Sequence, residues 1–574
     1  MRIEPLLTLD SGRPRLPSSK SHANRALVLA ALSGRPCTLT CVTPADDVCL
    51  MASGLQILGF SAQWNDAGDE IRFDGSGRQT GSSADRTIDC ELAGTTLRFL
   101  SAVAATVPGQ TTLTGNARMR ERPIGALVDA LRALGAEICC DTGSAPLTVA
   151  GQQHFASKVE IDPGTSSQFI SALLLIAPVL PNGLEVVFGS GPRVSSSYID
   201  LTIRCLRDCG VEVQQSTNSV RVPPTELVPP DSWPIEGDWS AAGFHVVKAD
   251  LQGEVFEPIG LDPASAQGDR RLPELLSTGS TTLDLSDLPD QAMNVAVWCA
   301  FHEKTTRLTG LSTLRGKESD RIRATVAMLT AVGVPVRSEG DDLVIEGGHP
   351  LRFGRIETEG DHRLAIAGTL LGLLGEGVEL SDSNCVSKSD PNFFGTVQAI
   401  RSSQRPILLG GLRGAGKTTT GRALAGAIGW SFVDTDEAFE AEHGPIPEFV
   451  ESRGWPEFRR LEAKITENCL RPCTVVALGG GVVEGPFFDR LRTAEVPSVV
   501  VFLEEHLDTL AERIRGSDRP SLTGRPITEE LSELEQRRRP RFESIAQIVC
   551  QAGQSVEARV EQIRSRLTPR RVLR

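Results

Sequence analysis

The first 400 residues repeat one pattern of apolar and polar positions, an amphipathic helix followed by a glycine and a short alternating strand. The five clearest copies occupy residues 51–64, 127–140, 201–215, 272–285 and 325–338. Their helices would end at Gly59, Gly135, Gly210, Gly279 and Gly333. Glycine after the last apolar turn is the usual left-handed C-cap, and the Val- and Ile-rich residues that follow favour strands. The pattern predicts repeated α/β modules packed into lobes, with residues 364–383 as a degenerate sixth copy.

A different pattern follows from residue 406. Short apolar runs at 406–410, 431–434, 474–478 and 498–503 alternate with longer amphipathic stretches. Such an alternation is typical of a parallel sheet wrapped by helices. Residues 396–405, between the two patterns, are predicted to be a linker.

Composition and charge narrow the class of protein. Of the 574 residues, 40% are hydrophobic and 23% charged, and no apolar run is long enough to cross a bilayer. The first twenty residues lack the features of a secretion signal, so we expect a cytoplasmic enzyme without a membrane partner. The net charge of −14 argues against a nucleic-acid partner.

The thirteen cysteines show no repeated spacing, which favours a reducing compartment over a disulfide framework. Two pairs are spaced by four residues, Cys205 with Cys209 and Cys469 with Cys473, but neither has further ligands at zinc-site spacing. We predict that these four residues are buried thiols.

Basic residues recur at predicted helix starts in the first 400 residues. Lys20 and Arg25 follow a serine pair, and Arg98 follows Thr95 or Thr96, either of which would cap its helix. Cations at helix N-termini oppose the helix dipole by roughly 0.3–1 kcal/mol each. Two readings stay open, surface helices with imperfect charges or helices that share an anionic ligand.

Two further starts have the same character. Pro123 suits a first helical position and so keeps Arg122 in the preceding loop, whereas Asp361 would cap a helix with Arg363 just inside it. These residues belong to a segment with 33 Lys and Arg against 48 Asp and Glu, in which clustered cations are unexpected. The recurrence therefore favours a bound anion.

Two acidic residues are candidates for proton transfer. Glu318 lies between Lys317 and Arg321, which would share one face of a helix, and Asp290 precedes an apolar helix. Among cations and phosphates Glu318 could donate a proton, but it could equally belong to a solvated charge run. Asp290 is the second candidate acid, or it could simply be an N-cap. Tyr198, the only tyrosine, follows a serine-rich loop that suits a polar ligand or an ordinary surface.

These residues, in this order, resemble the 5-enolpyruvylshikimate-3-phosphate synthase family. The matching stretches run from end to end of the first region: "SSKSHANRAL", "AGTTLRF", "LTGNARMRERPIGALVDALRALGA", "SSQFISALLLIAP", "SYIDLT", "QGD", "PDQAM", "RGKESDRI", "GDHRLAI" and "SKSDPNFF". The resemblance implies an inside-out α/β fold over residues 1–395. Its two lobes, about 19–235 and 1–18 with 236–395, would have three repeats each and the site between them.

The family transfers the enolpyruvyl group of phosphoenolpyruvate to the 5-hydroxyl of shikimate 3-phosphate and releases phosphate, without a cofactor. By resemblance, phosphoenolpyruvate is held by Lys20, Gly94, Arg122, Arg321, Arg363 and Lys388. Shikimate 3-phosphate is held by Ser21, Arg25, Ser166, Ser167, Gln168, Ser195, Tyr198 and Lys317. Glu318 would protonate the methylene carbon, and Asp290, with Lys20, would accept the hydroxyl proton.

The sequence departs from common forms of this family at three positions. Thr313 and Leu92 stand where asparagine is frequent, and Phe99 follows Arg98 where proline is frequent. These departures bear on inhibitor sensitivity and on individual hydrogen bonds to substrate. A UDP-sugar enolpyruvyl transferase, the nearest alternative, would lack the Ser-Lys-Ser…Arg start and carry a cysteine in the "RERPIG" loop.

The run "RPILLGGLRGAGKTTTGRAL" (405–424) contains the phosphate-binding pattern G-x-x-x-x-G-K-[ST] after a strand and at the start of a helix. Its candidate ATP-binding residues are Gly411, Gly414, Gly416, Lys417, Thr418 and Thr419. Backbone N–H groups of such a loop cradle phosphates, the lysine reaches the outer ones, and the Thr418 hydroxyl can bind Mg²⁺.

Residues 406–574 resemble shikimate kinase. By resemblance, Asp434 completes the Mg²⁺ site, and Asp436 orients or deprotonates the acceptor hydroxyl. The other residues matched to the family are Arg459 and Arg538 for the shikimate carboxylate, Gly479, Gly480 and Gly481 for close backbone approach, and Arg519 over the phosphates of ATP.

The two regions together resemble two adjacent domains of the pentafunctional arom polypeptide. The second would make shikimate 3-phosphate from shikimate and ATP, and the first would consume it with phosphoenolpyruvate. The expected partners are therefore small molecules alone. A non-catalytic module that keeps the fold is the alternative of another class, although Lys20, Asp290, Glu318, Lys417 and Asp436 are all present.

Overall fold

A computed structural model describes residues 1–10, 15–76, 85–152, 154–164, 166–191, 195–257, 259–515 and 525–567. Its strands, in chain order, are β1 (Arg2–Ile3), β2 (Pro36–Thr40), β3 (Gln63–Trp64), β4 (Ile71–Asp74), β5 (Arg86–Asp89), β6 (Gln110–Thr114), β7 (Glu137–Cys139), β8 (Leu147–Ala150), β9 (Lys158–Ile161), β10 (Leu184–Phe188), β11 (Gln214–Gln215), β12 (Ser219–Val222), β13 (Ser232–Pro234), β14 (Thr282–Asp284), β15 (Thr305–Thr309), β16 (Val336–Glu339), β17 (Asp342–Glu346), β18 (Gly354–Ile356), β19 (Val378–Leu380), β20 (Ile407–Gly410), β21 (Ser431–Asp434), β22 (Thr474–Ala477), β23 (Val499–Leu503) and β24 (Ile548–Cys550).

The α-helices are α1 (Lys20–Ser33), α2 (Asp46–Ile57), α3 (Gly94–Ala105), α4 (Gly125–Ala133), α5 (Ser167–Ile176), α6 (Ser196–Asp208), α7 (Trp239–Gln252), α8 (Leu272–Ser277), α9 (Ala292–Ala300), α10 (Arg321–Ala331), α11 (His362–Leu374), α12 (Phe393–Ser402), α13 (Lys417–Ile428), α14 (Thr435–His443), α15 (Ile446–Cys469), α16 (Phe487–Arg492), α17 (Leu507–Arg515), α18 (Ile527–Ile545) and α19 (Val556–Arg566). Within the described residues, no helix combines the length and the apolar composition that a membrane crossing requires.

The predicted repeats form the first of two compact units, which comprises residues 1–5 and 15–394. All five predicted helix-ending glycines have a positive φ, from 66° at Gly279 to 109° at Gly135, as a left-handed C-cap requires. Four sheets share one order, in which a parallel pair of strands is extended by two antiparallel strands: β5-β6-β8-β7, β9-β10-β12-β11, β13-β2-β4-β3 and β14-β15-β17-β16. The sixth, degenerate copy contributes α11 and β19 to a smaller sheet, β1-β19-β18.

We call residues 15–235 of this unit the first lobe and residues 236–394 with 1–5 the second lobe. A continuous core of the first lobe runs from Ala23 to Ile235. In the second lobe, β1 pairs with β19, so the first five residues complete a sheet whose other strands come from residues 354–380. The chain therefore closes the second lobe with a segment far away in sequence.

The second unit contains one five-stranded parallel sheet with the order β21-β22-β20-β23-β24. Alternate residues of β20 enter two cores, Ile407 and Leu409 on one face of the sheet and Leu408 on the other. A sheet covered on both faces requires near-continuous apolar strands, which is the pattern seen in the sequence. The predicted parallel sheet is confirmed, and the edge strand β24 was not predicted.

Residues 6–10 group with the second unit, whereas the sequence assigned all of 1–18 to the first region. The backbone N–H groups of Leu7 and Thr8 donate to Oε1 of Gln404 at 2.6 and 3.2 Å, and Arg405 donates its N–H to the carbonyl of Leu9 at 2.8 Å. Leu7 also packs against the core of the second unit. Much of the predicted linker, 396–405, is helical, because it lies within α12.

Helix α7 carries a buried histidine that should make stability depend on pH. Burial, reinforced by nearby Lys248, lowers the pKa of His245 from 6.5 to about 3, so the unfolded chain binds a proton below pH 6.5 that the folded chain does not. The contribution of His245 to stability is therefore lost as the pH falls below 6.5. Between pH 7.5 and 5.5, the free energy of unfolding should fall by about 1.4 kcal/mol more in the wild type than in His245→Gln.

Urea titrations of both proteins at several pH values would measure this difference. The same substitution at the exposed His349 is the matched control. A difference between wild type and His245→Gln that stays constant from pH 7.5 to 5.5 would show that the His245 ring is accessible to protons in the folded chain.

Candidate active sites

The two lobes of the first unit enclose a cavity of about 250 Å³. Most of the predicted substrate-binding and catalytic residues line it: Lys20, Ser21, Arg25, Gly94, Arg122, Ser166, Ser167, Gln168, Ser195, Tyr198, Asp290, Lys317, Glu318 and Arg321. The remaining two, Arg363 and Lys388, adjoin it through ion pairs with Asp290 and Glu318. The fold thus gathers residues from opposite ends of the sequence around one space.

Helix starts deliver several of these side chains. Ser19 caps α1 directly before Lys20, and the Asp361 carboxylate caps α11 by accepting the backbone N–H of Arg363, as predicted. The predicted threonine cap of α3 is wrong, because the helix begins at Gly94 after Ala93, without a side-chain cap.

Loops deliver two further cations. Helix α4 begins at Gly125, so Pro123 is not its first residue, although Arg122 does lie in the preceding loop as expected. Lys317 and Arg321 do not share a helical face, because α10 begins only at Arg321 and Lys317 has an extended backbone. Asp320 caps α10 by accepting the backbone N–H of Arg323, so the helix does not extend back to Lys317.

Glu318 lies in a buried cluster of cations. Its Oε1 accepts from Nζ of Lys388 at 2.6 Å and lies 3.6 Å from NH1 of Arg122, and its Oε2 accepts from NH2 of Arg321 at 3.0 Å. Burial alone would raise the pKa of Glu318, but these three cations hold it well below its ordinary value. Glu318 is therefore ionised in this cluster.

Asp290 forms a second centre close to the first. Its Oδ1 accepts from NH1 of Arg321 at 3.0 Å, and its Oδ2 accepts from the Tyr198 hydroxyl at 3.2 Å and from NH2 of Arg363 at 3.4 Å. Burial opposes ionisation, yet Arg363, Lys317 and Arg321 hold the pKa of Asp290 well below its ordinary value. The carboxylate is not an N-cap but the partner of buried cations.

Arg25 is held rigidly beneath the cavity. Its Nε donates to Oγ1 of Thr202 at 2.7 Å, NH1 donates to the carbonyl of Ser21 at 2.8 Å, and NH2 donates to Oγ of Ser171 and the carbonyl of Tyr198 at 3.1 Å. Because five N–H donors in a fixed fork leave little freedom, the guanidinium presents a constant positive charge to a ligand.

The predicted serines lie at two helix N-termini. Ser166 caps α5 by accepting the backbone N–H of Gln168, Ser167 is the first residue of α5, and Ser195 precedes α6 with a left-handed backbone (φ 54°). The Gln168 side chain accepts from NH1 of Arg98 at 2.9 Å. The hydroxyls at these two helix starts suit a phosphate group.

The sequence reasoning missed two residues of this site, Asp47 and His362, and identified Arg98 only as a cation at a helix start. Asp47 pairs with Lys20 at 3.0 Å, Arg98 lines the cavity beside Gln168, and His362 lines it with both ring nitrogens buried and without a hydrogen bond in the described structure. Burial, with Lys20 and Arg363 nearby, holds the pKa of His362 well below its ordinary value, so the ring is neutral. His362 lies between Asp361 and Arg363 in the stretch "GDHRLAI", and this position was the only sequence signal that could have identified it as a site residue.

Among the described residues around the cavity, cations outnumber anions. The cations are Lys20, Arg25, Arg98, Arg122, Lys317, Arg321, Arg363 and Lys388, and the anions are Asp47, Asp290, Glu318 and Asp361. Buried like charges repel strongly, so the arrangement is suited to ligands with several negative charges. Two carboxylates among these cations can exchange protons with such a ligand.

Gly94 allows Arg122 to approach the start of α3. A Cβ atom on Gly94 would lie 2.8 Å from both NH1 and NH2 of Arg122 and would also meet Arg98. Since these are the ends of long side chains, the fold should survive Gly94→Ala while the guanidinium groups shift. We expect KM for the ligand that Arg122 holds, which the resemblance implies is phosphoenolpyruvate, to rise about 10- to 100-fold, because misplacement by 1 Å can cost this much.

Steady-state kinetics with phosphoenolpyruvate varied would measure the effect. Gly125→Ala is the matched control, because Gly125 also opens a helix but its added Cβ would meet only Gly143 at 3.7 Å. An unchanged KM in Gly94→Ala would mean that Arg122 does not hold this substrate.

In the second unit, the phosphate-binding pattern forms the loop between β20 and α13. Gly414 and Gly416 have φ of 83° and 88°, which favour glycine and turn successive N–H groups toward one side. Lys417 opens α13, and its Nζ donates to the carbonyls of Gly411 and Leu412 at 3.1 and 3.2 Å. Thr419, the third residue of α13, is exposed.

Two predicted metal ligands lie side by side. Oγ1 of Thr418 donates to Oδ2 of Asp434 at 2.6 Å, while Oδ1 of Asp434 caps α14 by accepting the N–H groups of Asp436 and Glu437. An adjacent hydroxyl and carboxylate at the phosphate loop fit Mg²⁺, which takes few protein oxygens and completes its shell with water and phosphate. The described residues contain no cluster of three or more His, Cys, Asp or Glu with metal-site geometry.

Two arginines converge on the glycines after β22. NH1 of Arg538 donates to the carbonyl of Gly480 at 2.8 Å, and a Cβ atom on Gly481 would overlap the Arg459 guanidinium. A Cβ atom on Gly479 would lie 2.8 Å from the Asp436 carboxylate. The strand end thus places both cations and the predicted base close together.

The predicted nucleotide residue Arg519 lies outside the described residues.

Carboxylates hold both arginines in place. Glu462 accepts from NH1 of Arg459 at 2.6 Å, and Oε2 of Glu484 accepts from Nε and NH2 of Arg538 at 2.9 and 2.6 Å. NH2 of Arg459 lies 3.8 Å from the same Glu484 oxygen. The Glu484 carboxylate therefore holds the two guanidinium groups close to each other.

The chain is similar to two known families in tandem. The model of EPSP synthase (3-phosphoshikimate 1-carboxyvinyltransferase) matches residues 10–397, and that of shikimate kinase matches residues 413–568. The pentafunctional AROM polypeptide of Malassezia globosa is 31% identical over 89% of this chain, and that of Yarrowia lipolytica is 29% identical over 95%. The chain spans 38% and 39% of the length of these two relatives.

A solved structure of EPSP synthase from Acinetobacter baumannii covers 70% of this chain and 97% of its own, with a TM-score of 0.56 and 23% identity. This likeness shows the inside-out α/β fold of the first unit. The family model spans well over half of the chain, including every residue that lines the cavity. The chain therefore belongs to the EPSP synthase family and carries a shikimate kinase domain after its EPSP synthase domain.

Proposed function

We propose that the chain catalyses two consecutive reactions. The second unit phosphorylates the 3-hydroxyl of shikimate with ATP, and the first unit transfers the enolpyruvyl group of phosphoenolpyruvate to the 5-hydroxyl of the shikimate 3-phosphate formed. The observation that carries the proposal is the buried pair Glu318 and Asp290, each held among cations that also line the cavity.

In the transferase reaction, Asp290 takes the proton of the 5-hydroxyl with the help of Lys20. Glu318 gives a proton to the methylene carbon of phosphoenolpyruvate, and the substrate oxygen forms a bond to the adjacent carbon. The new methyl group then returns a proton to Glu318 as the C–O bond to phosphate breaks, and Asp290 passes the proton of the 5-hydroxyl to the departing phosphate. The products are the enolpyruvyl ether and free phosphate, and the two carboxylates regain their starting states.

The cations serve both binding and catalysis. Arg122, Arg321 and Lys388 surround the proton donor and are placed to hold the phosphoenolpyruvate anion, whereas Arg25 and Lys317 face the other substrate. Positive groups fixed before the reaction stabilise developing charge without reorganisation. Burial lowers the pKa of Lys317 despite the nearby Asp290 carboxylate, so a bound phosphate would favour its charged form.

In the kinase reaction, Lys417 and the loop amides hold the phosphates of ATP, and Asp436 orients the acceptor hydroxyl. Arg459 and Arg538 hold the shikimate carboxylate and so fix which hydroxyl meets the nucleotide. Thr418 and Asp434 would hold Mg²⁺, which neutralises phosphate charge in this class of reaction.

A coupled assay tests both proposals. Purified protein is given shikimate, ATP, Mg²⁺ and phosphoenolpyruvate, while ADP and phosphate are followed separately. We expect ADP with shikimate and ATP alone, and phosphate only when phosphoenolpyruvate is added. Phosphate release that requires a UDP-sugar would assign another acceptor, and absence of both products would favour a binding module.

A further inference from the structure

The proposed acid lies on a loop without regular helical support. Ser312–Gly316 forms a 3-10 turn, Lys317 has an extended backbone, and Asp320 caps α10. Glu318 lies between these elements, so its position depends on how the backbone of residues 315–318 is held. This loop belongs to the second lobe.

Arg118 of the first lobe reaches this backbone. Its Nε donates to the carbonyl of Glu318 at 3.1 Å, and its NH2 donates to the carbonyls of Lys317 and Arg315 at 3.0 and 3.3 Å. NH1 is paired with Glu121 at 2.8 Å. One guanidinium group therefore bonds three carbonyls of the loop that carries Lys317 and Glu318.

Arg118 also begins the segment that carries a substrate-binding cation. It directly precedes the 3-10 turn Met119–Glu121, which ends at Arg122. The side chain of Arg122 lies 3.6 Å from the Glu318 carboxylate inside the cavity, whereas Arg118 is not among the described residues that line it. The two arginines hold the same loop from different sides, one through its backbone and the other through its side chain.

We propose that Arg118 is a positioning residue for the transferase reaction: it fixes the acid-bearing loop of the second lobe against the Arg122 loop of the first. The inference rests on the proposed function of the first unit. A planar fork with five donors can hold three carbonyls in one arrangement, which the single ammonium of lysine cannot reproduce. Substitution of Arg118 alone should therefore displace the side chains of Lys317 and Glu318 in the cavity, although neither residue is itself substituted.

Kinetics of Arg118→Ala test this role. Because displacement of a catalytic group by 1 Å can cost about 100-fold, we expect kcat to fall by about this factor, with a smaller effect on KM for shikimate 3-phosphate. Arg118→Lys should lose nearly as much. Arg120→Ala is the matched control, since Arg120 lies in the same turn but donates to the carbonyl of Gly115 in its own lobe.

Chemical rescue separates positioning from general stability. Millimolar guanidinium should restore part of kcat in Arg118→Ala but should not raise that of the wild type or of Arg120→Ala. An unchanged thermal unfolding curve of the Arg118→Ala protein reports whether its first unit is folded. A kcat of Arg118→Ala within threefold of wild type, or an equal loss in Arg120→Ala, would overturn the proposal.

Hydrogen exchange gives a readout that does not require activity. Loss of the three bonds should accelerate exchange in residues 312–320 about tenfold in Arg118→Ala, and not in Arg120→Ala. Unchanged exchange there would refute the contact role even if kcat falls. If the wild type itself releases no phosphate from phosphoenolpyruvate, the proposed function fails, whereas faster exchange confined to 312–320 would still support Arg118 as the residue that holds this loop.

Discussion

Replacing Glu318 by glutamine should reduce kcat of the transferase reaction about 10³-fold without raising KM for phosphoenolpyruvate. Glutamine keeps the size of the side chain but cannot donate an acid proton, and general acid catalysis contributes about 10²- to 10⁴-fold. KM should not rise, because removing a negative charge beside Lys388, Arg321 and Arg122 strengthens the attraction of the cluster for an anion. Phosphate release measures the effect.

The kinase activity of Glu318→Gln should be unchanged, which provides an internal control for the amount of protein, while an unchanged thermal unfolding curve controls for folding of the first unit. Glu357→Gln is the matched substitution, since that glutamate pairs with Arg355 at the surface. A kcat of Glu318→Gln within tenfold of wild type would assign the proton donor to another group.

The charge of Glu318 also predicts proton uptake on binding. Burial would raise the pKa of Glu318, but Lys388, Arg321 and Arg122 lower it well below its ordinary value, so the carboxylate is ionised before binding. An anionic ligand offsets these cations, the pKa of Glu318 rises, and the group takes up the proton that it later donates. Calorimetry of phosphoenolpyruvate binding, without shikimate 3-phosphate so that no turnover occurs, in buffers of different ionisation enthalpy should show proton uptake in Glu357→Gln and less in Glu318→Gln.

Local features of the fold could be predicted wherever a single short pattern determines the structure. The helix-ending glycines could be identified because a left-handed C-cap has little alternative to glycine, and Gly59, Gly135, Gly210, Gly279 and Gly333 all have positive φ. The phosphate-binding loop could be identified for the same reason, since its geometry depends on consecutive residues.

Features that depend on distant partners could not be predicted from patterns. Leu7 and Thr8 join the second unit through Gln404, about 400 positions away, and no periodicity marks such a contact. The edge strand β24 could not be predicted for a related reason, since it is only three residues long and resembles a loop in sequence.

The site shows the same division. Cations could be identified at helix starts. Asp47 of α2 and His362 of α11 could not, because they become neighbours of the site only when the folded chain brings both helices to the cavity. The predicted helical pairing of Lys317 with Arg321 was wrong because Asp320 caps α10 between them. Both residues nevertheless line the cavity, which the resemblance implied and the local pattern did not.

Lys417→Met should reduce the kinase reaction about 10³-fold while leaving the transferase reaction unchanged. The methionine keeps much of the side-chain length but removes the ammonium group. In the wild type this group donates to the loop carbonyls of Gly411 and Leu412. Loss of a fixed positive group at the transferred phosphate costs about this much. ADP formation with shikimate and ATP measures it, and Lys464→Met, at an exposed position of α15, is the control.

A mixture of the Lys417→Met and Glu318→Gln proteins then tests how the intermediate travels. The first variant lacks the kinase step and the second lacks the transferase step, so neither alone should convert shikimate to the enolpyruvyl product. If shikimate 3-phosphate diffuses freely, the mixture should reach the steady-state rate of wild type at equal concentrations of each active site. Added shikimate 3-phosphate should restore the first variant alone and not the second. A mixture that stays far below wild type, while each variant keeps its remaining activity, would require transfer within one chain.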